Sequence, residues 1–226
     1  MDIHEFKRYK VTYGISIIII LTYIYTVIIT GNLMDMQSKD LAKNGAIFGP
    51  FIALKNEWYR LFISMFLHGG LIHLAMNTIS LVIVGRAIEH HFNSRDYIII
   101  YISSGIIGGL ASIYFHPLSV VVGASGAIFG IFGALVAFFL VHKQELAHQF
   151  KELMNNVGVI LGINLLMGLA FPSIDMSAHI SGLIVGFIGG FIASKYNKFI
   201  LLYLLLVILI IVSIYEYLPN LYLQYI

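Results

Sequence analysis

The sequence predicts an all-α polytopic membrane protein, a bundle of seven membrane-spanning helices forming one domain over residues 1–226. Two observations carry this. Of the 226 residues, 59% are hydrophobic and only 11% are charged, whereas a soluble domain is nearer about half apolar and about a quarter charged; the mean hydropathy is +0.91. The apolar residues also gather into runs close to the roughly 20 residues that a helix needs to cross the hydrocarbon. Backbone groups in lipid must find their hydrogen bonds within the segment, so such runs read as helices. None alternates in the manner of an outer-membrane barrel strand.

Taken in order, the spans are expected at about 11–30, 64–84, 97–115, 125–142, 156–171, 178–194 and 199–215, lengths that follow from the hydrocarbon thickness. Lys7, Arg8 and Lys10 precede the first run as in a signal peptide. That run is long for a signal h-region and no A-x-A site follows, so it is expected to stay as the first span. The loop 31–57 mixes charges with Phe48, Pro50, Phe51, Ile52 and Leu54, and leads into Trp58 and Tyr59. A loop of this length in a compact bundle is functional or disordered, and its aromatic content favours packing at the interface. Span four is reached through 116–122, from Pro117 along small and β-branched residues, with a helix starting near Ser125. The fifth span is short and broken by glycine. The seventh, rich in Leu and Ile, has no polar residue suited to chemistry and reads as scaffold. No linker divides the chain, and no internal repeat suggests an inverted-repeat transporter.

Charge sets the orientation. With the N-terminus inside, the inner segments hold Lys7, Arg8, Lys10, Arg86, Arg95, Lys143, Lys151, Lys195 and Lys198. The outer ones hold only Lys39, Lys43, Lys55 and Arg60, all in one loop that also carries acids. The expected topology is N-terminus in the cytoplasm, C-terminus outside. The net charge of +2 is spread over the inner loops, so the partner it implies is the lipid bilayer and not nucleic acid. The chain has no cysteine, which excludes disulfides, a thiolate nucleophile and thiolate metal sites.

Polar groups within spans are costly and face the bundle interior. Three clusters stand out. Gly123-Ala124-Ser125-Gly126 opens span four. A serine beside glycines is often only an N-cap, and Ala127 stands where a soluble-hydrolase elbow needs glycine. Yet a hydroxyl at a helix start lies beside unsatisfied N–H groups and the positive dipole end, which suits an oxyanion. His68, His73 and Asn77 lead into span two; His73 and Asn77, four apart, share a helix face. They suit a helix–helix hydrogen bond, or donation to a developing oxyanion; as a zinc pair they are poor, because such sites use His, Cys and carboxylates. Ala178-His179 opens span six, followed by Gly182, Gly186 and Gly190 at every fourth position. A lone His at a helix end is usually structural. The glycines change that weighing, because small residues let helices approach closely. Gly126, Gly130 and Gly133 give span four a similar face. If the faces meet, Ser125 and His179 come together.

The ordered set resembles the rhomboid family. The family's marks are a W-R pair in the first outer loop, H-x-x-x-x-H-x-x-x-N at span two, G-x-S-G at span four and A-H-x-x-G-x-x-x-G at span six. Here they stand as Trp58 and Arg60, His68, His73 and Asn77, Gly123, Ser125 and Gly126, and Ala178, His179, Gly182 and Gly186. The stretch from Gly85 to Glu89 matches a further segment that the family often carries, and the likeness runs over about residues 57–190, a combination far more specific than any one motif. Two departures occur. Tyr59 splits the W-R pair, and Phe129 stands where many members have a tyrosine against the histidine.

The resemblance implies a rhomboid-like six-helix core plus one C-terminal helix, and a serine endopeptidase that cleaves membrane-anchored substrates with a transmembrane helix near the outer face. It implies Ser125 as nucleophile and His179 as base. The Ser125 backbone N–H, with Gly123, His73 and Asn77, would form the oxyanion hole. Gly126, Gly130, Gly182 and Gly186 would pack the helices, with His68, Phe129 and Arg60 supporting. No metal or cofactor is implied, and Asp175 reads as a loop or cap residue. A cap over 172–177, with Phe171 and Met176, and span five would form a lateral gate. A prokaryotic cell membrane fits a short chain without a transit peptide. The different-class alternative is a catalytically inactive rhomboid-like protein that binds transmembrane helices. His90, His91, His142 and His148, which would suit a metal transporter, are expected near the inner face, far from His73 and His179.

Overall fold

The computed structural model describes residues 3–148, 150–170 and 175–223. A short helix α1 (Ile3–Arg8) leads into α2 (Lys10–Thr30). The helix α2 ends at Gly31, whose φ of 71° is the left-handed turn that closes many helices. The segment after α2 then folds as α3 (Ser38–Lys43), β1 (Ile47–Phe48), α4 (Gly49–Lys55) and α5 (Arg60–Ile63). Next come α6 (Leu71–His91), α7 (Ser94–Phe115), β2 (Val120–Val121) and α8 (Ser125–Val141). The chain closes with α9 (Phe150–Ala170), α10 (Met176–Lys195) and, after a 3-10 turn, α11 (Ile200–Tyr222). By length and composition α2, α6, α7, α10 and the run 197–222 are each able to cross a membrane, and α8 is a shorter apolar helix.

Helix α6 begins and ends seven residues later than expected. Hydropathy alone merges Phe66 and Leu67 into the span, but Gly69 and Gly70 interrupt the helix; Gly70 is extended, with φ 177°, and a Cβ there would strike the Met34 carbonyl. At the other end the helix runs past Arg86 because its charges have partners. The Glu89 carboxylate accepts from the backbone N–H groups of Val11 and Thr12 at 2.8 and 3.0 Å, which satisfies the open start of α2. Arg86 pairs with Glu5 at 3.1 Å. Asp96, 1% exposed, caps α7 with Asn93 and bonds Arg95 and Asn197, which ties α7 to the turn before α11.

Helix α8 is the centre of the bundle, with Ile131, Phe132 and Leu135 almost wholly buried. The segment between α2 and α6 is tied to the rest of the bundle. Ile47 and Phe48 pair antiparallel with Val121 and Val120, which joins the loop to the segment before α8. Arg60, 4% exposed, donates to the carbonyls of Ala42 and Ala46 at 2.6 and 3.0 Å and to Glu57 at 2.6 Å. Arg60→Ala is therefore expected to destabilise the loop by about 2–3 kcal/mol, the size of charged hydrogen bonds lost from a buried site. Limited proteolysis at 31–59 checks this: a cleavage rate equal to wild type would contradict the anchoring role. A second apolar core lies under the loop, where Ile47, Ile52 and Leu61 meet Ile113 of α7 and Leu218 and Tyr222 of α11.

Candidate active site

The site is built where α8 and α10 begin. Their backbones touch along a stripe of small residues. A Cβ on Gly182 would collide with the Gly126 carbonyl, one on Gly186 with the Gly130 backbone, and one on Gly190 with Ala134. Such close approach gives helices packing energy in lipid, where no hydrophobic drive separates them from the solvent. On the other side Gly108 of α7 lies against the Ala178 carbonyl, 3.0 Å from where its Cβ would be. Ser125 and His179, at the starts of the two helices, line one cavity of about 530 Å³ together with His73, Asn77 and Gly123.

His179 is 5% exposed. Its ring lies flat on Phe129, with centroids 4.1 Å apart and planes 13° from parallel, so the missing tyrosine hydroxyl leaves the stacking in place. Among the described residues Nδ1 of His179 has no hydrogen-bond partner, and none joins Ser125 Oγ to His179. Catalytic hydrogen bonds are often long before substrate arrives. Asp175 is the N-cap of α10: Oδ1 accepts from the backbone N–H groups of Ser177 and Ala178 at 3.0 and 3.2 Å. Its carboxylate is thus engaged by the helix start and stands 4.0 Å from His116 Nε2. Of the expected cap, Phe171 and residues 172–174 lie outside the described residues.

Gly123 has φ 122°, a conformation that side chains rarely adopt, and a Cβ there would stand 2.8 Å from His73 Nε2 and 4.0 Å from Asn77 Nδ2. Glycine is what lets both donors approach the backbone just before Ser125. The Gly123 N–H donates to the Ser64 carbonyl at 2.9 Å, fixing this turn to the segment before α6. Asn77 Nδ2 gives one proton to the His73 carbonyl at 3.0 Å; an amide nitrogen has a second. His68 is fully buried and meets the His73 ring edge to face at 5.0 Å. Burial, with His73 beside it, pushes the His68 imidazole down to about 3, so it stays neutral and orients His73 by packing.

A hydroxyl at a helix start, an imidazole and a set of N–H donors around one cavity are the parts of acyl-transfer chemistry. A family model described as the rhomboid domain matches residues 55–196, more than half of the chain. The chain belongs to the rhomboid family. With its long apolar helices this makes the rhomboid a multi-pass integral membrane protein. It is 40% identical over 148 residues to the Rhomboid protease GluP of Bacillus subtilis (strain 168), covering 66% of this chain and 28% of that protein. It is 35% identical over 150 residues to the RHOMBOID-like protein 1 of Arabidopsis thaliana, covering 66% and 38%. The Putative rhomboid protease YdcA of Bacillus subtilis (strain 168) is 37% identical over 128 residues, covering 56% and 63%. The chain thus spans less than two thirds of the length of each of these relatives.

Sequence reasoning did not find the Ser64 carbonyl or the β1–β2 ladder that hold Gly123, nor the methionines Met34, Met36, Met65 and Met76 that line the apolar side of the cavity. Only the β-branched run Val120–Val122 hinted at a strand.

Proposed function

We propose that this rhomboid is an intramembrane serine endopeptidase that hydrolyses peptide bonds of membrane-anchored proteins with a transmembrane helix. The observation that carries the reading is the convergence of Ser125, His179, His73 and Asn77 on one cavity where two glycine-faced helices begin. Ser125 Oγ attacks the scissile carbonyl while His179 takes its proton and gives it to the leaving amine; a water deprotonated by His179 then cleaves the Ser125 ester, releasing the new carboxyl end and restoring the hydroxyl. Carbon–oxygen bond formation leaves a tetrahedral oxyanion. The Ser125 N–H, the free Asn77 Nδ2 proton and His73 Nε2, in its N–H tautomer, meet that charge in a site shielded from bulk water. Stacking on Phe129 holds the base, since no carboxylate partners His179 Nδ1 among the described residues.

We place the N-terminus on the cytoplasmic side, a choice supported by the excess of basic residues in the loops that it puts inside. The cavity then opens outward. Helix α8, with 17 residues, covers about 25 Å at 1.5 Å per residue, short of the roughly 30 Å hydrocarbon. Ser125 therefore starts below the outer boundary, within reach of water through the cavity. The gate for a substrate helix is assigned to α9; residues 171–174 of the expected cap lie outside the described residues.

The reading is tested by reconstituting the protein in liposomes with a panel of transmembrane-helix reporters. Cleavage by wild type is expected, and Asn77→Ala is expected to keep activity reduced about 10²–10³-fold, mostly in kcat, the usual loss of one oxyanion donor. An Asn77→Ala rate equal to wild type would overturn the donor role. Reporters bound without cleavage by folded wild type would assign the chain to helix binding instead.

A further inference from the structure

Most residues of helix α11 are exposed, yet its last residue is among the most buried in the protein: Tyr222 is 0% exposed. Its single hydroxyl proton is shared between two carbonyls, Ile113 at 2.8 Å and Pro117 at 3.0 Å. The reason is local. The Ile113 carbonyl, in the final turn of α7, would accept from the N–H four residues on, but that residue is Pro117, which has none. An acceptor left open in the apolar outer core is costly, and Tyr222 reaches across from another helix to fill it. Gly49 makes room, since a Cβ there would occupy the place of the Tyr222 hydroxyl and lie 2.5 Å from the Pro117 carbonyl.

These two neighbours are the ends of the device that carries the nucleophile. Pro117 leads through β2 to Gly123 and Ser125, and Gly49 directly follows β1, the strand that pairs with β2. Tyr222 thus clamps both strands of the ladder at the same end. Higher on α11, Tyr215 packs on Trp58 of the same loop at 5.1 Å. We propose that Tyr222 is a positioning residue for Ser125: through Pro117 and Gly49 α11 sets the register of the 117–123 segment and hence the placement of the nucleophile and the Gly123 turn. This rests on the protease reading above.

Tyr222→Phe removes only the hydroxyl. In liposomes it is expected to lower kcat about tenfold with KM within about twofold, because displacement of a reacting group by a fraction of an ångström acts on the chemical step. Hydrogen–deuterium exchange without substrate is expected to show the Gly123 amide, bonded to Ser64, exchanging about tenfold faster while the interior of α8 is unchanged. Gly49→Ala, which expels the hydroxyl, is expected to reproduce both changes. The control is Tyr203→Phe in the inner half of the same helix, which removes a hydroxyl bonded to Ser103 at 2.7 Å. That variant is expected to lower the unfolding temperature with kcat and Gly123 exchange as in wild type. If Tyr222→Phe behaves like Tyr203→Phe, the hydroxyl is structural only and the inference is overturned. If wild type itself cleaves no reporter and reacts with no serine probe, the protease reading falls and this inference with it. Cleavage by wild type with an unchanged Tyr222→Phe kcat overturns the inference alone.

Discussion

Ser125→Ala, His179→Ala and the double variant are expected to lose reporter cleavage to one common baseline, about 10⁴–10⁶-fold below wild type. Residues that act as one unit show this non-additivity: without the hydroxyl there is no nucleophile to deprotonate, and without the imidazole the hydroxyl stays protonated and weak. Steric damage is a poor explanation for such a loss. Ser125 is half-buried at the lip of the cavity, so trimming Oγ leaves the glycine contacts below it unchanged. His179→Ala vacates one face of Phe129, and its unfolding temperature is expected to fall by a few degrees, far too little to account for the lost rate. Single variants whose losses multiply in the double variant would show independent roles and contradict the dyad.

The largest stability effect is expected at Gly186. Its ideal Cβ falls among the Gly130 backbone atoms of α8, so no side-chain rotamer can avoid the clash and the helices must separate. Gly186→Val should destabilise the protein by about 3 kcal/mol or more, the upper range of overpacking where only backbone can yield. Cleavage should fall with it, because α8 and α10 present Ser125 and His179 from the two sides of this contact. Gly14 supplies the comparison. Nothing lies within 4 Å of a Cβ at that position of α2, so Gly14→Ala is expected to be neutral or stabilising by up to about 1 kcal/mol from helix propensity. Unfolding in detergent reads both. A Gly186→Val protein as stable as wild type would mean that the two helices do not depend on the small-residue stripe.

Much of the architecture was legible because lipid imposes a simple length rule on apolar runs. The start of α8 at Ser125 and the repeated glycines of α10 could be read directly. Hydropathy misplaced α6 because it cannot see that Gly69 and Gly70 end a compact loop, or that Glu89 finds its partners on α2. The β1–β2 ladder is two residues long and joins distant parts of the chain, so no local periodicity announces it. In α11 the buried Tyr203, Val207, Leu218 and Tyr222 are set among exposed residues of like hydropathy. A helix whose other face meets lipid lacks the polar–apolar contrast that marks a buried stripe in water. For the candidate site, the resemblance to the rhomboid family pointed to the residues, whereas the cavity, the stacking of His179 and the hold on Gly123 are tertiary facts.

The most direct test of the central claim is covalent labelling by a fluorophosphonate probe of the folded protein in liposomes, with the modified residue mapped by mass spectrometry. The account predicts adduct on Ser125 in wild type, none in Ser125→Ala, and labelling of His179→Ala slowed to the rate of an ordinary serine. Adduct on another serine, or Ser125 labelling at an undiminished rate without His179, would contradict it.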